Sequence, residues 1–275
     1  MEGQEFEQHE QRDARQRTSP QAKIIYEAIR REGEEELDRP ATSLGWSGLA
    51  AGLSMGFSFL MEALLSSYLP DAGWRSLITK FGYSIGFLIV ILGRQQLFTE
   101  NTLKPVLPLL LCKTSSNFGK VARLWGIVLV SNLVGAVIFA GLLHYLHPFD
   151  EKVGQALMET AKKAYHVSFF DAFAGAIFAG WLIALMVWLL PFAESARVGV
   201  IIIITYVVGI GGFAHVIAGT VTTAFALLGG GESLDAFLLR FFLPALAGNI
   251  IGGVAFVAAV NHGQVRTEHE ACEEE

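Results

Sequence analysis

The sequence predicts an all-α polytopic membrane protein. Six transmembrane helices form two inverted three-helix repeats, and the second and fifth helices are broken. Three observations predict this. Only 17% of the 275 residues are charged and 52% are hydrophobic, whereas soluble domains carry about 25% charged residues. Residues 198–231 contain no Lys, Arg, Asp or Glu, a run too long for the roughly 20 apolar residues that span a bilayer core. Gly209, Gly211, Gly212 and Gly219 fall near its centre, beside His215, the one side chain of the run that titrates near neutral pH. Irregular backbone survives at membrane depth only where protein or a water-filled cavity satisfies its polar groups. A broken helix bearing a midplane histidine therefore reads as a solute site.

The third observation is a counterpart in the first half. Residues 93–102, Gly-Arg-Gln-Gln-Leu-Phe-Thr-Glu-Asn-Thr, lie between two apolar runs too short to span, 81–92 and 106–112. Aligning Gly93 with Gly209 sets Leu97 opposite Phe213 and Thr99 opposite His215. Ser131-Asn132-Leu133-Val134-Gly135-Ala136 also resembles Gly248-Asn249-Ile250-Ile251-Gly252-Gly253. Three crossings per copy is an odd number, so the second copy enters the membrane inverted.

The elements follow in order. Residues 1–40 read as a cytoplasmic tail with no secretory signal. It has a Gln/Glu/Arg-rich start, an N-cap at Ser19, Pro20 in the first turn and an amphipathic helix over 21–37. Residues 41–262 form the membrane domain. Its first helix, 44–68, carries a stripe of small residues (Gly48, Ala51, Gly52, Gly56) suited to close packing. Glu62, near its far end, either lines a vestibule or forms an ion pair. The broken second helix follows the loop Pro70-Asp71-Ala72-Gly73. The third helix is 124–146 with Asn132 and Gly135. A long loop, 148–167, carries Lys152, Lys162, Lys163 and His166. The fourth helix, 169–190, places Asp171 at its N-terminus and ends before Pro191. The broken fifth spans 198–228 and the sixth 237–260. Residues 263–275 are an acidic tail.

Six crossings put both termini on one side. That side carries 12 Lys and Arg and the other six, with Arg94 and Lys104 left uncounted inside the break. The positive-inside rule makes both termini cytoplasmic, in an inner or plasma membrane. The acidic balance resides in the tails, so nothing points to nucleic acid. Cys112 and Cys272 have no metal or redox spacing. His144, His147 and His166 read as loop histidines rather than a metal site. No cofactor and no catalytic residue is indicated, because no His-Glu-x-x-His or Gly-x-Ser-x-Gly occurs.

At the two breaks the sequence resembles the formate/nitrite transporter family. The family's first loop, roughly Glu-Leu-Phe-Thr-Gly-Asn, corresponds to Gln96-Leu97-Phe98-Thr99-Glu100-Asn101. Its Gly-Phe-Glu-His corresponds to Gly212-Phe213-Ala214-His215. Gly248-Asn249-Ile250-Ile251-Gly252-Gly253 and the Trp181-to-Trp188 spacing match two further motifs. The resemblance covers about residues 42–262. It implies a homopentamer of aquaporin-like protomers, each with its own pore for small monovalent anions. It also implies that His215 and Thr99 face each other in the pore, with Phe98 at a constriction. The chain departs from the pattern at Ala214 (acidic in the family), Gly180 (Asn), Ala164 (the vestibule lysine) and Glu100 (Gly).

The chemistry expected of such a site follows. A bare anion in an apolar constriction costs several kcal/mol or more. Polar loops, helix N-termini and backbone N–H groups must replace its water. An imidazolium can share its proton with a weak-acid anion, making a neutral acid that crosses apolar rings cheaply. The candidate pore residues are His215, Thr99, Phe98, Gln96, Glu100, Asn101 and Phe213, with Phe87 a further narrowing ring. Asn132 and Asn249 are expected to brace the broken loops. Glu100 is either a proton relay or gate, or the partner of Arg94 or Lys104. The expected partners are a small monovalent anion, protons, the lipid bilayer and identical subunits. The competing readings are a neutral-solute channel and a non-transporting sensor or scaffold. Paired Asn-Pro-Ala motifs, which the aquaporin-type channel would carry, are absent.

Overall fold

In a computed structural model the chain is described over residues 21–163 and 167–265, and these residues are helical with no strand. Ser19, Pro20, Ala164, His166 and Cys272 lie outside the described residues. Helix α1 (Ala22–Asp38) buries Tyr26, Ile29, Gly33 and Leu37, one stripe at helical spacing. Helices α2 (Ala41–Tyr68), α3 (Arg75–Leu92) and α5 (Ser115–Leu146) form the first repeat, with the short α4 (Val106–Leu111) after the break. Next come α6 (Glu151–Lys163), α7 (Phe169–Leu189) and the broken pair α8 (Arg197–Ile210) and α9 (Val216–Leu228). Helix α10 (Leu234–Val265) closes the chain.

Five of these helices are long and apolar enough to cross a membrane, and α8 with α9 make the sixth, interrupted crossing. Helix α3 starts at Arg75, just after the Pro70-Asp71-Ala72-Gly73 loop as expected, and a tight turn at Lys80–Tyr83 carries it into the apolar run 81–92. Other bounds differ from expectation. Helix α5 begins nine residues before the apolar run, capped by Thr114, whose hydroxyl accepts from the Asn117 N–H. The loop expected at 148–167 contains α6, which buries Val153, Ala156, Leu157 and Ala161. At α7 the Ser168 hydroxyl accepts from the Asp171 N–H and donates to the Asp171 carboxylate (2.7 Å). Asp171 thus stands at the helix start, as its charge requires.

Two helix pairs, α2 with α5 and α7 with α10, form the walls. Their contact is backbone on backbone. A Cβ at Gly52 would collide with the Asn132 carbonyl, and one at Gly135 with the Leu49 carbonyl. In the second repeat, Gly180 meets the Asn249 carbonyl and Gly252 the Ile177 carbonyl. Without a hydrophobic drive between helices in lipid, such close approach supplies the packing. Gly180, where the family pattern has Asn, is therefore the second repeat's equivalent of Gly52.

Candidate permeation site

The site begins at two helix ends of the same form. Helix α3 closes with Gly93 N–H to Ile89 O (2.9 Å), Arg94 N–H to Ile91 O (3.2 Å) and Gln95 N–H to Val90 O (2.9 Å). Helix α8 closes with Gly211 N–H to Val207 O (2.9 Å), Gly212 N–H to Gly209 O (3.2 Å) and Phe213 N–H to Val208 O (3.1 Å). Each is a Schellman-type end with its left-handed residue at Arg94 (φ 50°) or Gly212 (φ 63°).

Beyond each end an asparagine holds the freed backbone. Asn132 Nδ2 donates to Gly48 O (2.7 Å) and Gln96 O (2.8 Å), and its Oδ1 accepts from Phe98 N–H (2.9 Å). Asn249 Nδ2 donates to Ala176 O (2.8 Å) and Ala214 O (2.9 Å), and its Oδ1 accepts from Val216 N–H (2.8 Å). These equivalences correct the alignment made from sequence. Gln96 corresponds to Ala214, Leu97 to His215 and Phe98 to Val216, so Gly93 pairs with Gly211 rather than Gly209. Thr99 therefore corresponds to Ile217, not to His215.

Thr99 and His215 meet all the same. Thr99 Oγ1 and His215 Nε2 are 2.7 Å apart, and both residues are almost fully buried. His215 caps α9, its Nδ1 accepting the Ala218 N–H at 3.2 Å. A neutral imidazole has one acceptor and one donor nitrogen. With Nδ1 occupied as acceptor, Nε2 carries the hydrogen and donates to the Thr99 hydroxyl. The Thr99 hydroxyl hydrogen is then not committed to the ring, and Thr99 itself borders neither of the two flanking cavities. Phe87 stands edge-on to the His215 ring, centroids 5.0 Å apart.

A cavity lies on either side of this pair. One, on the α1 side and about 150 Å³, is bordered by Gln96, Leu97, Glu100 and Asn101. The other, about 300 Å³, is bordered by His215, Phe213, Tyr83, Lys80, Lys163 and Arg240. Glu62 does both things expected of it, bordering the second cavity and pairing with Lys80 at 2.6 Å.

The remaining candidates are distributed as follows. Gln96 and Asn101 bond each other (Asn101 Nδ2 to Gln96 Oε1, 2.8 Å), and the Asn101 carbonyl accepts from Trp125 Nε1 at 2.8 Å. Phe213 stacks on Phe178, centroids 5.4 Å apart. Phe98 packs edge-on against Trp125 and borders neither cavity, whereas Leu97 borders the α1-side one. Glu100 pairs with Lys104 (3.6 Å) and not with Arg94, and Lys104 also reaches Glu32 of α1 at 3.2 Å. Among the described residues there is no group of three or more metal-ligating side chains. Sequence reasoning missed Ser47, which accepts from Gln96 N–H (3.0 Å), together with Trp125 and Tyr83. Nothing in their neighbourhood marks them, since each becomes part of the site only through folding.

Two inverted repeats whose broken helices bring a buried polar pair between two cavities define a membrane transport protein of the discontinuous-helix class. The chain belongs to the formate/nitrite transporter family, whose model, "Formate/nitrite transporter", matches residues 23–263. It is 40% identical to the inner membrane protein YfdC of Escherichia coli, over 92% of this chain and 81% of that protein. It is 27% identical to the formate channel BtFdhC of Bacillus thuringiensis, over 90% and 95%. Among solved structures, a pentameric formate channel with formate bound superposes with a TM-score of 0.67 at 22% identity, covering 80% of this chain and 95% of that one. An FNT family ion channel gives 0.71 at 21%, covering 87% and 96%. The fold is thus that of these channels. The family consists of transporters, and the expectation of a non-enzymatic protein stands.

Proposed function

We propose that this chain conducts small monovalent weak-acid anions, formate- or nitrite-like, through one pathway per protomer of a homopentamer in the inner or plasma membrane. The observation that carries the reading is the Thr99–His215 hydrogen bond of 2.7 Å, set between a cavity on each side. The name of the solved pentameric formate channel and its shared fold support the assembly and solute class. The 12-to-6 distribution of Lys and Arg supports cytoplasmic termini. Residues 1–40 and 263–275 are then cytoplasmic tails around the 41–262 channel domain.

In this reading an anion collects in the cavity that Lys80, Lys163 and Arg240 border. At the constriction it exchanges water for the Thr99 hydroxyl, itself polarised by the His215 Nε2–H. A proton reaches the ring at Nδ1 only when the Ala218 N–H lets go, a cap worth about 1 kcal/mol. The imidazolium then shares its proton with the bound anion, and the neutral acid passes Phe87 and Leu97 far more cheaply than the ion. Permeation therefore rises as pH falls. Proteoliposome swelling in formate, nitrite, acetate, lactate, chloride and glycerol tests the solute class. Faster swelling in the weak-acid salts than in chloride or glycerol supports it. Swelling in glycerol alone makes the chain a neutral-solute channel, and none above empty vesicles leaves a non-transporting scaffold.

A further inference from the structure

A weak acid that crosses as the neutral species must surrender its proton on the far side, and His215 borders only the cavity away from α1. The α1-side cavity holds one group built for the task. Glu100 is 7% exposed and borders that cavity beside Leu97 and Asn101, within the same loop as Thr99. Its Oε2 faces Lys104 at 3.6 Å. Its Oε1 is buried without a hydrogen-bond partner among the described residues.

The charges around it explain why that oxygen is left over. Lys104 is divided between Glu100 and Glu32 of α1, lying nearer to Glu32 (3.2 Å). Glu35 and Glu36 of α1 border the same cavity, with Arg94 at the end of α3 and Arg197 at the start of α8. Glu36 is paired with Arg39 at 2.9 Å, which leaves Glu32, Glu35 and Glu100 with Lys104, Arg94 and Arg197 at the cavity. A buried carboxylate oxygen with no donor is a costly arrangement, and protonation resolves it by turning the acceptor into an O–H donor.

We propose that Glu100 is the proton acceptor and donor of the pore on the α1 side, a deepening that rests on the permeation reading above. For inward movement, the acid's O–H bond breaks, a new O–H forms on Glu100 Oε1, and the solute leaves as its anion. Glu100 then passes the proton to water in the cavity. For outward movement, protonated Glu100 gives its proton to an arriving anion, and the neutral acid crosses toward His215.

The test uses the full chain in proteoliposomes with labelled formate, driven either by a pH gradient or by a potassium–valinomycin potential. The expected result is wild-type uptake that follows the pH gradient. Glu100→Gln lowers that uptake at least tenfold and flattens its pH profile, while still eluting as the wild-type oligomer. Glu100→Asp, which keeps a titratable carboxyl, recovers most of the uptake and the profile. Wild-type uptake with Glu100→Gln unchanged overturns the Glu100 proposal and leaves permeation intact, as does an equal loss in both variants. No wild-type uptake above empty vesicles overturns the permeation reading and this proposal together.

Discussion

Arg94 and Gly212 hold the same position in the two repeats, both with left-handed backbone and each closing a helix through the same three hydrogen bonds. Glycine adopts that conformation freely. For any other L-residue it costs about 1–2 kcal/mol. Arg94→Gly should therefore stabilise the detergent-solubilised protein by about 1 kcal/mol, read as a higher midpoint of thermal unfolding. An unchanged or lower midpoint would mean that the Arg94 side chain compensates its backbone through the charges of the α1-side cavity.

The two asparagines should behave as a matched pair. Each side chain bonds three buried backbone groups, two of them at a helix break. Replacing either with Ala orphans the two at the break, Gln96 O and the Phe98 N–H or Ala214 O and the Val216 N–H, at about 1–3 kcal/mol for each buried group. The Gly48 and Ala176 carbonyls keep their own helical bonds. Asn132→Ala and Asn249→Ala should both reduce folded yield and thermal midpoint, to similar extents. If one proved silent, the internal symmetry would not extend to the energetics.

Gly52 and Gly180 make the corresponding prediction for the helix walls. A methyl group at either would meet a backbone carbonyl of the facing helix, which cannot rotate aside. Gly52→Ala and Gly180→Ala should each cost about 1–3 kcal/mol, in the range of overpacked cores. Gly199→Ala is the control, because a Cβ there meets nothing. The comparison is made by thermal aggregation of the three variants in one detergent, with the control expected to match wild type.

Helix α1 carries a pH prediction of its own. The Arg30 guanidinium beside Glu27, with Arg31 in support, lowers the carboxyl from 4.5 to about 2. A depressed carboxyl contributes stability above its unfolded pKa and loses it as pH falls through the folded value. The window is therefore about pH 4.5 to 2. Glu27 is partly exposed, so solvent screening keeps the contribution small. Protease cleavage within α1 of the intact protein should be constant from pH 8 to pH 5, using an enzyme active across that range. A rise in cleavage between pH 7 and pH 5 would show that some other group controls α1.

Much of this architecture was legible in the chain. Long uncharged runs and the two Asn-x-x-Gly segments exposed both the repeat and its inversion. The register was not legible, because glycine was the natural landmark and the left-handed position holds arginine in one copy. Aligning on Gly93 and Gly209 consequently erred by two positions. Helix α6 was missed because its charged residues outweighed Val153, Ala156, Leu157 and Ala161, although these recur at helical spacing. Within the site, the meeting of Thr99 and His215 followed from the family pattern. The identity of the residue bordering the cavity did not, since whether Leu97 or Phe98 faces it depends on how Asn132 holds the loop.

In the proposed mechanism the Thr99–His215 pair is the point through which a weak acid passes and gains or loses its proton. This role is tested most directly by formate flux into proteoliposomes at pH 5 and pH 7, comparing wild type with His215→Ala and Thr99→Val. Wild-type flux should be several-fold faster at pH 5 than at pH 7. His215→Ala should abolish that difference and lower the flux at least tenfold, and Thr99→Val should lower the flux at both values. Equal flux in all three proteins, with the same dependence on pH, would contradict it.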